Sequence, residues 1–337
     1  MTVRVGINGF GRIGRSFVRA VHERDANIQV VAANDLGPVE QMAHLLRRDS
    51  VYGRFPGDVQ VRDGNIEIDD TPLWFLSEPE PKRLPWDDLG VDVVLESTGH
   101  FRDRAAAATH LEAGATRVVV SAPCKGADAT FVVGVNDDTF DPALHQVVSN
   151  ASCTTNCLVP MVKVLDDAFG VERGLMTTVH AYTGDQQLVD GPHKDLRRAR
   201  AAGLNIVPTT TGAARATSLV MASMAGRLDG TALRVPVADG SMTDLCAILR
   251  HDVTADQVNE AFRAAAGEGP LSRVLVCSDE PIVSGDIVGS PASCTFDAPL
   301  TLAMGNLVKV MGWYDNEWGY TSRLVDLISL VGRYGSG

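Results

Sequence analysis

The apolar positions change their period along the chain. "VRVGI" (3–7) and "IQVVAAN" (28–34) are unbroken β-rich runs. "GRIGRSFVRAVHE" (11–23) instead spaces Ile13, Phe17, Val18 and Val21 along one helical face. "VEQMAHLL" (39–46) reads as a second helix, and the alternation continues through "VDVVLES" (91–97), the Ala-rich "RAAAATHLEAG" (104–114) and "TRVVVSAP" (116–123). Val/Ile runs alternating with helices predict a parallel sheet covered on both faces. "DVQVRDGNIEIDD" (58–70) has period two around an Asp-Gly pair, which predicts an inserted β-hairpin.

The pattern changes near residue 150. "CTTNCLVPMVKVLDDAFG" (153–170) predicts a helix stopped by Gly170, with Pro160 in its early part or kinking it. "GLMTTVHAYT" (174–183) is a strand. Residues 184–210 are polar and poor in apolar anchors, too long for an ordinary connection, and so read as a functional loop. "GTALRVPV" (230–237) and "SMTDLCAILR" (241–250) are further strands, a helix covers 254–266, and "EWGYTSRLVDLISLVG" (317–332) closes the chain as an amphipathic helix. This half predicts a largely antiparallel sheet with helices on one face.

A length of 337 residues suits about two domains, and 45% hydrophobic against 21% charged residues is ordinary for a globular chain. The formal charge of -12 argues against a nucleic-acid groove or a polybasic membrane patch. No apolar run approaches the ~18 residues of a membrane span. The chain begins with "MTVRVGI", a strand rather than a signal sequence, so secretion is not expected. Six cysteines, at 124, 153, 157, 246, 277 and 294, are too sparse for a disulfide framework and suit a reducing cytoplasm. Cys153 and Cys157 lack a second close Cys/His pair, so no metal site is expected.

The first strand runs into Gly9-Phe10-Gly11-Arg12-Ile13-Gly14, a G-x-G-x-x-G that opens a helix. Asn34 and Asp35 close the second strand, about twenty residues further on, where a carboxylate grips the adenosine ribose. The glycines admit the pyrophosphate to the helix N-terminus. The Asp35 carboxylate disfavours a 2′-phosphate, so NAD is expected over NADP. Thr98, Gly99 and Ser121 lie at two later strand ends, on the nicotinamide side of such a site.

"SNASCTTNCLVP" (149–160) places Cys153 at a predicted helix N-terminus, with Asn150 and Ser152 as candidate caps. The helix dipole and free N–H groups there favour a thiolate, the reactive form. Cys157, one turn on, reads as packing. His180, at the end of "MTTVH", is a candidate base. These residues alone describe an NAD enzyme with a thiol nucleophile.

"NGFGRIGR", "SNASCTTNC", "HAYTGDQ", "PTTTGAA", "ALRVP" and "WYDNEWGY" follow in this order over nearly the whole chain. The set closely resembles the NAD-dependent phosphorylating glyceraldehyde-3-phosphate dehydrogenases. The resemblance implies an α/β Rossmann NAD domain (1–152, joined by the terminal helix 318–337) and an α+β catalytic domain (153–317) with a mainly antiparallel sheet. It implies a cytoplasmic homotetramer in glycolysis or gluconeogenesis. Cys153 would form a thiohemiacetal and then a thioester, with His180 as base and as partner of the thiolate. Inorganic phosphate would release the acyl phosphate. Thr183, Asp185 and Arg234 would hold the substrate phosphate; Ser152, Thr154, Arg198, Thr211 and Gly212 the attacking one. Asn316 would hold the nicotinamide carboxamide with Tyr320 beside it.

Three places depart from the family pattern. Pro79 in "LSEPEPKRLPW" stands where an arginine near the adenine is common. "VADGS" (237–241) replaces the usual Thr-Pro-Asn-Val-Ser, and Val159 replaces a common Ala behind Cys153. Two other readings share parts of this sequence: an erythrose-4-phosphate dehydrogenase, released by water instead of phosphate, and a catalytically idle NAD-binding regulator.

Overall fold

The computed structural model describes residues 2–334. The chain divides into two units. One holds the residues up to Phe131, Asp137–Ala151 and the chain from Thr321 onward; the other holds Val132–Asn136 and Ser152–Tyr320.

The first unit is built on a nine-stranded sheet. Val3–Asn8 lies at its centre, parallel to Ile28–Asn34 on one side and Val93–Glu96 on the other. Arg117–Val120, Val147–Ser149 and Ala129–Thr130 extend it in parallel. Val5, Ile7, Val93, Leu95, Val118 and Val119 are fully buried, which is why these strands read as unbroken apolar runs and not as alternations. The helix Arg12–Glu23 turns Phe17, Val18 and Ala20 inward. The hairpin Val59–Arg62/Asn65–Ile68 forms as its sequence predicts. Its two-residue turn puts Asp63 and Gly64 at positive φ, as a primed turn requires. It joins the sheet through Thr71–Leu76.

One element of this unit departs from expectation. The stretch 104–114 forms two short pieces, Arg104–Ala107 and Thr109–Glu112, instead of one helix. The break turns His110 fully inward, where its ring meets Trp86 and Glu96. The final helix runs Trp318–Gly332. Arg24 pairs with Asp326 at 2.6 Å, tying the end of the first helix to the last one. Residues 335–337 of the expected terminal segment lie outside the described residues.

The second unit centres on an eight-stranded sheet. Val171–Ala181, Ser241–Leu249 and Leu307–Tyr314 pair antiparallel in its middle. Leu228–Val235 runs parallel to Val171–Ala181, and Leu275–Ser278 parallel to Cys294–Asp297. Ser241–Leu249 alternates buried and half-buried positions, so one face of the sheet carries the core. The helix Cys153–Phe169 covers that face with Leu158, Val159, Met161, Val162 and Leu165 buried. Gly170 ends it at φ 71. Pro160 sits near the middle of the helix, not in its early part, and the helix continues through it. Ala255–Gly267 starts at a full Thr254/Gln257 capping box.

The polar stretch 184–210 also differs from its sequence reading. It includes the strand Val207–Thr210, bonded to Leu228–Val235, and the turn Ala202–Leu204. It is not poor in large apolar residues: Leu188, Val189, Leu196, Leu204 and Ile206 all stand exposed. Its internal bonds are polar, such as Arg200 and the Ala201 N–H to Asp190.

Candidate active site

The carboxyl end of the first sheet forms a cleft of about 310 Å³. Gly9, Gly11, Asn34, Asp35 and Thr98 line it, with Leu36, Glu78, Pro79, His100 and Phe101. Gly9 has φ +95, and a Cβ there would stand 2.6 Å from the Thr98 nitrogen. A Cβ on Gly14 would meet the Gly9 oxygen at 2.3 Å, so only glycine lets the helix start this close to the strand. A Cβ built on Gly11 would meet nothing within 4 Å, so that side of the backbone is open to a bulky anion at the helix N-terminus. The residues present therefore fit a dinucleotide.

Asp35 is held by its neighbours. Its carboxylate accepts the N–H groups of Phe10 at 2.8 Å and Gly37 at 2.9 Å. Asn34 is a brace: its amide donates to Asn8 Oδ1 and the Glu78 carbonyl and accepts the Glu78 N–H, which fixes the Glu78–Pro79 rim. Arg12 pairs with Asp49 at 2.7 Å. Arg12, Ile13, Gly14, Gly99 and Ser121 do not line the cleft. Gly14 acts through close packing and Ser121 through its N–H to the Glu96 carbonyl.

Glu96 carries the cleft from beneath and escaped the sequence reading. It is buried and accepts bonds from Asn8, His110 and both the N–H and hydroxyl of Thr98. The Trp86 indole donates to His110 Nδ1 at 3.0 Å, so the opposite ring nitrogen carries the proton toward Glu96. Four donors around one carboxylate make its burial tolerable. Only the strand-end position of Glu96 hints at this in sequence.

The second unit holds the thiol. Ala151, at φ 55, turns the chain so that Ser152 caps the helix, its hydroxyl accepting the Thr155 N–H at 3.1 Å. Ser152, not Asn150, is thus the cap, and Cys153 is the first helical residue. Its Sγ lies 3.5 Å from His180 Nε2. His180 Nδ1 lies 2.7 Å from the Ala181 carbonyl, which can only accept, and 3.0 Å from the Arg234 guanidinium, which can only donate; the shorter Ala181 contact favours a proton on Nδ1. That tautomer leaves Nε2 as an acceptor for the thiol proton. Tyr314, also missed from sequence, lies edge-on to His180, and its hydroxyl bridges Thr154 at 2.9 Å and Thr178 at 2.8 Å. Cys157 is fully buried, with its thiol on the Gly312 carbonyl, as its packing role predicts.

Electrostatics reverse one expectation. The helix terminus alone predicts a lowered thiol pKa. In the folded chain, burial pushes the Cys153 thiol up to about 11, against the pull of Arg234 and of the Thr154 and Cys153 donors. Burial, and then the Arg234 charge, push His180 down to about 3. Burial thus favours the neutral thiol and the neutral imidazole.

Around it the expected anion-binding residues gather unevenly. Arg234 donates to the Ala181 carbonyl and to Thr183, both at 3.0 Å, and its buried Nε has no partner. Thr183 and Arg198 both grip Asp185. Burial opposes the Asp185 charge, but Thr183, Arg198 and Arg234 hold its carboxyl below the usual range. Arg198 also donates to Thr209, so it joins the Thr183–Asp185–Arg234 group. Arg200, its sequence neighbour, pairs with Asp190 instead. The Ser152 hydroxyl is used in capping and that of Thr154 on Tyr314. Thr211 and Gly212 sit at the start of the helix Ala213–Val220, with open space over Gly212. Asn316 is buried and its side-chain oxygen accepts the Ser241 hydroxyl. Tyr320 is buried in the first turn of the last helix.

The fold and the first of these centres define a dinucleotide-dependent dehydrogenase. Comparison with known proteins gives its family. The family model described as glyceraldehyde 3-phosphate dehydrogenase, NAD binding domain, matches residues 3–104, and that of the C-terminal domain matches residues 152–316. Curated relatives named glyceraldehyde-3-phosphate dehydrogenase include one from Streptomyces coelicolor, 56% identical over 99% of both chains. Another, from Mycobacterium avium, is 57% identical over 99% of both. The chain belongs to the glyceraldehyde 3-phosphate dehydrogenase family, and NAD is its cofactor.

Proposed function

We propose that the protein oxidises glyceraldehyde 3-phosphate in glycolysis, with NAD and inorganic phosphate, to 1,3-bisphosphoglycerate. The observation that carries this reading is the 3.5 Å contact of Cys153 Sγ with His180 Nε2 at a capped helix N-terminus. The sulfur attacks the aldehyde carbon while Nε2 takes the thiol proton. The protonated imidazole then gives that proton to the new oxyanion, leaving a neutral thiohemiacetal. When bound, NAD supplies the hydride acceptor. As hydride leaves the carbon, Nε2 removes the hydroxyl proton, and the carbon becomes a thioester on Cys153. Phosphate oxygen attacks that thioester, the acyl phosphate departs, and the sulfur regains its proton from His180. Gly9, Gly11 and Gly14 admit the pyrophosphate, and Asp35 holds the ribose diol and excludes a 2′-phosphate. Thr98, Gly99, Ser121, Asn316 and Tyr320 serve the nicotinamide, Asn316 through its amide.

Arg234, with its unpartnered Nε, and Thr183 take the substrate phosphate, and Asp185 orients them. The Thr211–Gly212 helix terminus and Arg198 take the attacking phosphate. Residues 1–152 with the terminal helix serve the nucleotide, and 153–317 the aldehyde chemistry.

The exposed Leu188, Leu196 and Ile206 support a homotetramer in which another copy covers this loop. Six free cysteines support a cytoplasmic setting. Among the described residues no helix is long and apolar enough to cross a membrane.

NADH formation followed by absorbance, with and without phosphate, tests the reading. Turnover of glyceraldehyde 3-phosphate should require phosphate. An equal rate in its absence would replace the phosphate step by hydrolysis.

A further inference from the structure

Trp86 and His110 have no part in the reaction outlined above, yet both are fully buried behind the cofactor cleft. The Trp86 indole N–H donates to His110 Nδ1 at 3.0 Å. An indole nitrogen can only donate, so Nδ1 accepts and the ring proton sits on Nε2. That nitrogen meets Glu96 Oε2 at 3.1 Å, and the Asn8 amide donates to the same oxygen at 2.7 Å. The other oxygen, Oε1, accepts the Thr98 N–H at 2.8 Å and the Thr98 hydroxyl at 2.5 Å.

The chain of bonds continues beyond Asn8. Asn8 Oδ1 accepts the Asn34 amide at 2.8 Å. Asn34 also donates to the Glu78 carbonyl at 2.9 Å and accepts the Glu78 N–H at 2.8 Å. Backbone N–H and C=O groups cannot exchange roles, so Asn34 has one orientation, with its NH2 toward Asn8. That fixes Asn8 in turn, with its own NH2 toward Glu96. The Trp86 indole at one end and the Glu78 backbone at the other thus give every bond between them a single direction, and both branches meet on Glu96.

This chain stands under two walls of the cleft. On one side the Thr98 hydroxyl accepts the His100 N–H at 3.1 Å, and Thr98, His100 and Phe101 line the cleft. Phe101 also stands edge-on to the His110 ring, with centroids 6.4 Å apart. On the other side Asn34 holds Glu78, which lines the cleft with Pro79. Deleting the His110 N–H leaves Oε2 with the Asn8 amide alone. A buried carboxylate short of a donor shifts toward those that remain, and here they are the groups that shape the cleft.

We propose that His110 is a positioning residue: its Nε2 proton, fixed in place by the Trp86 indole, holds Glu96 in the orientation from which Thr98 on one wall and Asn8, Asn34 and Glu78 on the other shape the cleft for NAD. This rests on the assignment of the cleft to NAD. His110 acts through Glu96 on cofactor affinity, and the thiol chemistry of the second unit does not depend on it.

The experiment measures NAD affinity by calorimetry on the wild type, His110→Phe, His110→Gln and Asp35→Ala. The kcat and the KM values for NAD and glyceraldehyde 3-phosphate are measured on the same samples, and thermal unfolding checks folding. Phe fills the space of the ring without a donor, whereas the Gln amide can accept from Trp86 and donate to Glu96. His110→Phe should weaken NAD about tenfold, the weight of one hydrogen bond to a charged group. The loss should appear in the KM for NAD and not in kcat at saturating NAD or in the KM for the aldehyde, and His110→Gln should regain most of it. Wild-type NAD affinity in His110→Phe, with Asp35→Ala weakened, overturns the proposal alone, and so does an equal loss in His110→Phe and His110→Gln. Wild-type affinity in Asp35→Ala overturns the assignment of the cleft and the proposal with it. If His110→Phe does not fold, nitrogen NMR of the wild type decides. The His110 proton should sit on Nε2 and exchange with solvent more slowly once NAD is bound; a proton on Nδ1, or exchange unmoved by NAD, overturns the proposal.

Discussion

Cys153 and His180 meet at 3.5 Å, sulfur to Nε2, and burial pushes each toward its neutral form. A thiol pushed up to about 11 and an imidazole pushed down to about 3 leave little thiolate at neutral pH. Proton transfer to His180 then accompanies the attack on substrate instead of preceding it.

Reactivity in the ligand-free protein should show this directly. The alkylation rate of Cys153 with uncharged iodoacetamide should climb with pH toward about 11. Arg234→Leu removes a charge that lowers the thiol pKa, so its rate should be slower at each pH. A rate already at its plateau at neutral pH would mean a resting thiolate.

Stability against acid follows from the same burial. His180 titrates near 3 when folded and near its ordinary 6.5 when unfolded. Between these values the unfolded chain binds the extra proton, so stability is present above the higher value and lost as pH falls toward the lower. Urea unfolding at stepped pH should show that slope, and His180→Gln should flatten it.

Cys153→Ser should bind NAD but lose at least about a thousandfold in kcat, because a serine alkoxide is not available at neutral pH. Cys157→Ser should cost far less, since its thiol is buried in packing, on the Gly312 carbonyl and beside Cys294. Steady-state assays on both variants assign the nucleophile; near-wild-type turnover of Cys153→Ser would end its candidacy.

Cofactor choice should rest on Asp35. The wild type should favour NAD over NADP by about a hundredfold or more in kcat/KM, a few kcal/mol of charge repulsion and lost ribose bonds. Asp35→Ala should narrow that ratio and also weaken NAD itself, because the carboxylate braces Phe10 and Gly37. Equal constants in the wild type would show that the Glu78–Pro79 rim sets a different preference.

Assembly should depend on the exposed apolar residues of 184–210. Leu188→Glu and Leu196→Glu should shift light-scattering mass from tetramer to smaller species as the protein is diluted. A tetramer unmoved by both changes would place the interface elsewhere.

The sequence by itself determined the periodic elements, the glycine turn before the first helix, Asp35 at the second strand end, and the thiol and histidine at their element ends. These are local matters: spacing, φ demands and capping are set within a few residues, so they are legible in one dimension. Tertiary structure decided the rest. It divided 104–114 into two short pieces and set His110 against Glu96, and its burial pushed the thiol up against the pull of the helix terminus. It brought Arg198 rather than Arg200 to Asp185. Desolvation and hydrogen bonding between residues far apart in the chain depend on which strands lie side by side, and spacing along the chain does not encode that.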